Sequence, residues 1–201
     1  RAALLALGAA SLALSRTAGA QQAAPSVIEA VKQRGKLVIG LSTFVPWAML
    51  DKSGQLVGFE IDVARKLAAD MGVAVEFVPT AWDGIIPALL ASRFDMIVSG
   101  MSITPARNLT VNFTQPYAYS GLRVVANRKH EGRLASLEAL NASDITLALR
   151  RGATPVAYAQ QRFPKARILQ FDEEGAQIQE VVSGRADATI ASEPLPSRAV
   201  T

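Results

Sequence analysis

The sequence contains no cysteine and only one histidine among its 201 residues. Without cysteine these residues can form no disulfide, no cysteine-ligated zinc site, no thiol nucleophile and no thioester-linked lipid anchor. The one histidine, His130, lies in the polar stretch NRKHEGR, which indicates a solvated loop rather than a catalytic or metal-binding position. These two shortages disfavour zinc enzymes and Ser-His-Asp hydrolases, and we expect no cofactor and no metal.

Residues 1–20 are predicted to be a signal peptide. Arg1 precedes the apolar run AALLALGAASLAL, which is too short to span a bilayer, and AGA at residues 18–20 matches an A-x-A cleavage pattern. Because no cysteine stands at the cleavage site, we expect a periplasmic protein without a lipid anchor. The sequence has no initiating methionine, so we also expect it to be clipped at this end.

The chain carries little excess charge of either sign. Its formal net charge is +4, and removal of residues 1–20 takes away Arg1 and Arg16 but no acidic residue, which leaves 19 basic and 17 acidic side chains. A net charge of +2 gives no reason to expect a nucleic-acid partner.

Strand and helix patterns alternate along the rest of the chain. Three short apolar runs rich in β-branched residues are predicted strands: KLVIGLS at 36–42, VAVEFVP at 73–79 and DMIVSG at 95–100. Between the first two strands, residues 58–72 predict a helix that ends at Gly72, and Asp83 is predicted to cap a helix over residues 84–93. The apolar face of the first helix is predicted to carry Phe59, Val63, Leu67 and Met71, with Ala64 and Ala68 beside them. Alternation of this kind predicts parallel strands in an open α/β sheet.

The alternation begins again after QPYAYSG. The second set comprises LRVVAN, ITLALR, ARILQF and ADATIAS as strands and LASLEAL, TPVAYAQQRF and EEGAQIQEVVSG as helices, the last ending at Gly184. We therefore predict two lobes, with lobe one over residues 27–121 and lobe two over residues 122–201. The sequence stops at EPLPSRAVT, and we expect the last part of lobe two and its return to lobe one to be missing.

The end of the third strand is unusually polar. Ser99, Gly100 and Ser102 follow the apolar DMIV run, and Thr104-Pro105 is a helix start with Arg107 in its first turn. Ligands in open α/β sheets bind beyond the carboxyl ends of the strands, and free N–H groups with an arginine suit an anion. These residues predict a cradle for a small anion.

Lobe two repeats this arrangement in RRGATPVAY. A strand ends at Arg150, and Thr154-Pro155 then opens a helix. Two such helix starts facing each other across a cleft would hold one small ligand from both sides. Either start can equally be a plain helix cap, so the residues alone leave both interpretations open.

The sequence resembles the periplasmic amino-acid-binding proteins of ABC importers. The blocks GFEIDVA, WDGIIPAL, DMIVSGMSITPAR and FTQPYAYSG occur in that family's order, and weaker similarity continues through RRGAT and GRADATIASEP. The resemblance implies a two-lobed, type II periplasmic-binding-protein-like α/β fold, with open sheets flanked by helices and a ligand cleft that closes by hinge motion. It also implies an amino acid or related carboxylate as ligand and a membrane permease of an ABC importer as partner, and we expect a monomer.

The resemblance also implies roles for individual residues. Arg107 matches the arginine that pairs with the ligand α-carboxylate, helped by the backbone near Gly100 and Ser102 and by Thr154. Phe44 and Trp82 match aromatic walls that sandwich the ligand, with core packing as their alternative. A further match is Arg150, at the position that contacts the ligand side chain, where a cation suggests a polar or acidic group on the ligand. The alternative for Arg150 is a solvated pair with Arg151.

Two positions depart from the family pattern. Ser192 stands where a carboxylate usually binds the ligand ammonium, and Glu193 follows it on what should be the opposite face of the strand. Leu41 and Ser42 occupy a loop that often holds an aspartate. Both changes remove negative charge from the expected cleft, so the ammonium would meet neutral acceptors or the ligand is not a standard α-amino acid.

Three functions remain open. The first is capture of a solute for import, without chemistry. The second is a cyclohexadienyl-type dehydratase of the same fold, for which Glu193 is the cleft carboxylate that we can nominate as proton donor. The third is the sensor domain of a receptor, which would continue into a transmembrane helix.

Overall fold

The structure, a computed structural model, describes residues 26–199. The predicted signal peptide at residues 1–20 lies outside the described residues and stays a prediction, as do the last two residues of predicted lobe two. None of the helices within the described range is long and apolar enough to cross a membrane.

Lobe one is built around parallel strands. Its elements are α1 (Val27–Arg34), β1 (Lys36–Leu41), β2 (Met49–Leu50), β3 (Leu56–Val57), α2 (Phe59–Asp70), β4 (Ala74–Pro79), a 3-10 turn (Trp82–Gly84), α3 (Ile85–Leu90), β5 (Met96–Ile97) and α4 (Pro105–Asn108). In the described chain the sheet order is β4-β1-β5, all parallel, with Ile39 of β1 between Phe77 and Met96. The short strands β2 and β3 form a separate antiparallel hairpin.

Lobe two has a mixed sheet. Its elements are β6 (Leu122–Ala126), two 3-10 turns (Arg128–His130 and Glu138–Leu140), β7 (Thr146–Arg150), α5 (Thr154–Arg162), β8 (Arg167–Phe171), α6 (Glu174–Ser183), β9 (Ala188–Ser192) and α7 (Leu195–Ala199). The described strands lie in the order β6-β9-β7-β8. β7 is parallel to both β8 and β9, whereas β6 runs antiparallel to β9.

All the predicted strands are confirmed, although DMIVSG forms a strand only at Met96–Ile97. The helices α2, α5 and α6 are confirmed as well, and α6 ends at Gly184 in the left-handed conformation with φ of 77°, which suits a residue without a Cβ atom. The division between the lobes at residues 121 and 122 stays a prediction. It coincides with the start of β6.

Four expectations about helices are wrong or incomplete. LASLEAL forms only a 3-10 turn at Glu138–Leu140, and Asp83 does not cap α3, which follows Gly84 without a side-chain cap. Of the predicted apolar face of α2, Ala64 and Ala68 are buried but Phe59 is 43% exposed, and the buried Ile61 was not predicted. Helix α1 was not predicted, although Ser26 and Glu29 form a capping box at its start.

Each lobe has its own hydrophobic core. Lobe one packs Leu37 and Ile39 of the central strand against Ala64 and Ala68 of α2. In lobe two, the largest cluster surrounds Leu147 and Leu149 of β7 and includes Phe163 and Ile190. None of the core clusters found in residues 26–199 combines the two lobes. Polar and aromatic side chains therefore have a larger part in the contacts across the cleft.

Candidate functional site

The carboxyl ends of the parallel strands in both sheets converge on one cavity. We call it the inner cavity; it has about 440 Å³ of empty space, part of it open to solvent. Its lining residues are Phe44, Trp82, Gly100, Ser102, Arg150, Ala153, Thr154, Pro155, Glu174, Gln177, Ile190, Ala191 and Ser192. Both lobes contribute, as expected for a ligand site at strand ends.

Phe44 and Trp82 both line the inner cavity from lobe one. Phe44 follows β1 and forms a bridge with Ala48, and Trp82 opens the 3-10 turn after β4. Both side chains are half-buried, so the alternative of full core packing does not describe them. The structure places them as cavity walls, and their role as walls for a ligand stays a prediction.

Arg107 reaches across the cleft from the start of α4. Its Nη1 donates to the carbonyl of Ser102 at 2.8 Å and its Nη2 to the carbonyl of Gly152 at 3.2 Å, in the opposite lobe. Thr104 caps this helix as predicted, because its hydroxyl accepts from the Arg107 N–H at 3.2 Å. Burial lowers the pKa of the Arg107 guanidinium, which still leaves it charged at neutral pH. Within the described residues Arg107 has carbonyl partners but no carboxylate.

Arg150 is buried between the lobes. It is only 7% exposed, so the alternative of a solvated pair with Arg151 is wrong. Its Nη1 donates to Glu174 at 2.8 Å and its Nη2 to the Ser42 hydroxyl at 2.7 Å. The guanidinium carbon also lies 5.1 Å from the centre of the Trp82 ring, within the range of a cation–π contact. Arg151 instead pairs with Asp172 on the surface.

Glu174 and Gln177 project from the first turns of α6 into the inner cavity. Burial raises the pKa of the Glu174 carboxyl, although the neighbouring Arg150 charge opposes that rise. Gln177 is 1% exposed, and neither its amide nitrogen nor its amide oxygen has a hydrogen-bond partner in the described part of the chain. Sequence reasoning missed both residues. Glu174 stands shortly after the end of β8 and Gln177 lies one turn further along α6, so the strand-end rule gives only a weak signal for them.

A second polar cluster supports the loop at the end of β5. Ser99 is 4% exposed, and its hydroxyl accepts from the Ser42 N–H at 2.8 Å and donates to the Ser42 carbonyl at 3.1 Å. Behind this loop, the Tyr117 hydroxyl donates to buried Glu60 at 2.5 Å. Burial raises the pKa of both groups. Ser99 thus fixes lobe one internally, and its predicted ligand contact stays a prediction.

Gly100 and Thr154 face the inner cavity from opposite lobes. Gly100 has φ of 56°, and a Cβ atom there would lie 3.5 Å from Glu60 Oε1 and 3.8 Å from the Phe44 ring. These distances are ordinary van der Waals contacts, so it is the positive φ rather than a lack of space that favours glycine at this position. Thr154 is the first residue of α5, and Ala153 rather than Thr154 holds the cap position.

Ser192 lines the inner cavity, whereas Glu193 does not. The Glu193 carboxylate pairs with Arg123 and accepts from the Ser197 hydroxyl at 2.9 Å. The carboxylate that lines the inner cavity is Glu174, whereas Glu193 lines a larger neighbouring cavity that shares Gly100, Thr154 and Ser192 with it. The nomination of Glu193 as the cleft carboxylate stays a prediction. His130 is also less solvated than expected, because its Nε2 lies 3.2 Å from Asp187.

The described residues include no group of three or more histidine, aspartate or glutamate side chains placed to hold a metal ion. What the cavity offers is a pair of aromatic walls, one arginine, one carboxylate and a neutral amide. Arg107 is not among the lining residues, but it donates to the carbonyl of Ser102, which is. Such a site can bind a small polar molecule by hydrogen bonds and charge. The fold and the cleft define a two-lobed solute-binding protein.

Comparison with known families agrees with this class. The profile of the bacterial extracellular solute-binding proteins, family 3, matches residues 37–167. The chain belongs to this family, and the expected relationship to amino-acid-binding proteins is confirmed.

Curated relatives include both binding proteins and an enzyme. The L-cystine-binding protein of Escherichia coli (strain K12) is 28% identical over 82% of this chain and 61% of its own length. The cyclohexadienyl dehydratase of Pseudomonas aeruginosa is 29% identical over 83% of this chain and 62% of the enzyme. The chain thus spans about three fifths of the length of these relatives.

Solved structures give the same fold. An ancestral amino acid-binding protein, a precursor of cyclohexadienyl dehydratase, is 41% identical with a TM-score of 0.83, over 87% of this chain and 78% of that one. The Gly52Ala mutant of arginine-bound ArgBP from T. maritima is 33% identical with a TM-score of 0.78, over 86% of this chain and 80% of that one. The two-lobed α/β fold expected from the sequence is therefore confirmed.

Proposed function

We propose that this protein captures an amino acid or a related small carboxylate in the cleft between its lobes and delivers it to the permease of an ABC importer. The observation that carries the proposal is Arg107, a half-buried cation at the cleft whose partners are carbonyl oxygens of both lobes. A guanidinium without a protein carboxylate favours an anionic ligand group, and it can bind a carboxylate through two parallel hydrogen bonds.

The remaining features support the same role. Phe44 and Trp82 provide apolar walls, and Ser192 and Thr154 provide neutral oxygens near which a ligand ammonium can be accommodated. Membership of an extracellular solute-binding family supports a periplasmic location, and hinge closure of two lobes suits capture and release. We propose that the protein acts as a monomer.

We further propose that binding occurs without turnover, even though a dehydratase is among the relatives. A proton donor must be free to reach its substrate, but Glu174 is held by Arg150 at 2.8 Å and Glu193 by Arg123. Incubation with a cyclohexadienyl acid should leave the acid unchanged beyond its uncatalysed rate. Enzyme-dependent loss of the acid would assign the dehydratase function instead.

Binding is tested by a thermal-shift screen of the full-length protein with the natural amino acids, polyamines and small dicarboxylates. We expect a shift of several degrees with one or a few amino acids. Arg107→Ala should abolish the shift because the carboxylate loses its partner. Arg151→Ala, which removes an exposed guanidinium paired with Asp172, is the matched control and should retain it. An unchanged shift in Arg107→Ala would contradict the proposed site.

A further inference from the structure

The inner cavity already contains a guanidinium, that of Arg150. This group packs over the Trp82 ring at 5.1 Å and donates to Glu174 at 2.8 Å. An aromatic face and a carboxylate are the two partners that a cationic ligand side chain would use. The Arg150 side chain therefore already binds the Trp82 ring and the Glu174 carboxylate, the two groups that a cationic ligand side chain would need.

Arg150 is held in this place from both lobes. Its Nη2 donates to the Ser42 hydroxyl of lobe one at 2.7 Å, while Glu174 belongs to lobe two. The side chains of Arg150 and Glu174 are 8% and 17% exposed. If Arg150 moved aside for a ligand, it would leave a mostly buried carboxylate without its partner, which is unfavourable.

The charges of this pair also cancel. A cationic or an anionic ligand side chain would bring an additional, uncompensated charge into a mostly buried place, and burial of an unpaired charge is costly. A neutral side chain avoids this cost. The pair therefore disfavours cationic ligands such as arginine and lysine, and it equally disfavours anionic ligands such as glutamate and aspartate.

Gln177 provides the hydrogen-bonding groups that remain open. Gln177 lines the inner cavity, and both polar atoms of its amide are buried without a partner among residues 26–199. The Nε of Arg150 is likewise buried without a partner there. A buried amide without partners is unfavourable unless a ligand or water satisfies it. The matching group carries both a donor and an acceptor, as a carboxamide or a ureido group does.

We propose that Arg150, Glu174 and Gln177 form a side-chain subsite that selects amino acids with a neutral carboxamide or ureido end and excludes arginine and lysine. The proposal rests on the proposed function, in which Arg107 binds the ligand carboxylate. It sets this chain apart from the arginine-bound protein of T. maritima to which it is similar.

Isothermal titration of the full-length protein tests the subsite with six probes: L-glutamine, L-asparagine, L-citrulline, L-arginine, L-lysine and L-glutamate. At least one of the three neutral probes should bind tenfold or more tightly than each charged probe. Gln177→Leu should weaken the preferred neutral probe by tenfold or more, because it removes the amide and keeps a similar volume.

Two variants test the charge argument. Arg150→Leu frees Glu174 and the Trp82 face, so L-arginine should bind tenfold or more tightly than it does to the unmodified protein. Arg151→Leu, on the adjacent exposed arginine, should change nothing. Glu174→Gln leaves Arg150 unopposed and should strengthen binding of L-glutamate, and this variant decides the question if Arg150→Leu does not fold.

The outcomes separate this inference from the proposed function. Tight binding of L-arginine or L-lysine to the unmodified protein, with Arg150→Leu without effect, would overturn the subsite. Loss of that same binding in Arg107→Ala would nevertheless support amino-acid capture. Absence of binding for all six amino acids, together with a response to a small dicarboxylate in the thermal-shift screen, would reject the subsite and leave capture of a small carboxylate standing. Absence of any response to the natural amino acids and the small dicarboxylates would reject the proposed function itself.

Discussion

At the scale of single residues, Gly40 shows how tightly lobe one is packed. It lies in the central strand β1, and a Cβ atom built there would be 2.4 Å from the ring of buried Phe94. Gly40→Ala should therefore lower the free energy of unfolding by about 1–3 kcal/mol through overpacking. Urea denaturation measures this loss.

The double variant Gly40→Ala/Phe94→Leu is the control for this explanation. Phe94→Leu alone should destabilise the protein, because it leaves space under β1. If steric conflict with the ring is the cause, the double variant should lose less unfolding free energy than the two single variants lose in total. Strict additivity would locate the cost of Gly40→Ala elsewhere.

Glu60 predicts a pH dependence of stability. It is 2% exposed, and burial raises the pKa of its carboxyl above the ordinary 4.5 despite the hydrogen bond from Tyr117. The folded protein therefore holds this proton at a pH where the unfolded chain has released it. The free energy of unfolding should fall as pH rises from near 4.5 through the raised pKa of the folded state.

Glu60→Gln should remove this part of the fall, since the amide does not titrate. Urea midpoints measured at a series of pH values would show a shallower slope than in the unmodified protein, in which Glu174 contributes with the same sign. Glu76→Gln, at an exposed glutamate paired with Lys36, serves as the control. If the urea midpoint fell with pH as steeply in Glu60→Gln as in the unmodified protein, Glu60 would not be the source of this pH dependence.

The location of the strongest cleft residues could be predicted from the sequence. The rule that ligands bind at strand ends pointed to the polar residues after β5, Arg107 among them. Phe44 and Trp82 were predicted from the resemblance to the family, and they follow β1 and β4. Glu174 obeys the same rule after β8 but lies inside a continuous polar stretch, where no contrast marks it. Its pairing with Arg150 depends on how α6 packs beside β7 within lobe two, which sequence spacing does not contain.

At the scale of elements, each lobe has an aspartate just before one strand that accepts a backbone hydrogen bond from the neighbouring strand. Asp95 precedes β5 and accepts from the Val38 N–H of β1 at 2.7 Å, and Asp187 precedes β9 and accepts from the Thr146 N–H of β7 at 2.7 Å. In both lobes an arginine stands two residues earlier, in SRFD and in GRAD. Each aspartate ties the start of one parallel strand to its neighbour.

Removal of either carboxylate should destabilise its sheet. We expect Asp95→Ala and Asp187→Ala each to lower the free energy of unfolding by about 1–3 kcal/mol, because a backbone N–H loses its partner. Asp70→Ala, which breaks only the exposed helix pair with Lys66, should cost at most about 0.5 kcal/mol. If denaturant unfolding showed that Asp70→Ala is as destabilising as Asp95→Ala and Asp187→Ala, the role of the two aspartates in linking strands would be contradicted.

Element prediction succeeded where a local stop signal followed a helical pattern. Helix α6 ends at Gly184 and buries Val181 together with Gln177. LASLEAL has the composition of a helix, but Leu137 is 45% exposed while Leu140 is buried. The Ser136 hydroxyl also accepts from the Ala139 N–H at 3.4 Å, which favours a turn over a longer helix.

At the scale of the whole molecule, the contacts between the two lobes differ in kind from the contacts within each lobe. Their cores are separate, and the described hydrogen bonds between the facing sides of the cleft run from Arg107 to Gly152 and from Arg150 to Ser42 and Thr43. Where the chain passes between the lobes, the Ser120 hydroxyl donates to the Glu193 carbonyl and the Glu193 N–H donates to the Gly121 carbonyl. Hydrogen bonds of this kind contribute only about 0.5–3 kcal/mol each. Without a ligand, the two lobes should therefore unfold with incomplete coupling.

Both tryptophans, Trp47 and Trp82, belong to lobe one, so their fluorescence reports that lobe, whereas far-UV circular dichroism reports both. Urea midpoints from the two signals should differ without ligand.

A ligand that contacts both lobes should make the two midpoints coincide. At about 100 times its Kd, such a ligand adds about 2.7 kcal/mol to the free energy of unfolding, and only when both lobes are folded. Arg107→Ala should keep the midpoints apart even with ligand. Coincident midpoints without any ligand would mean that the contacts between the lobes alone unite the molecule.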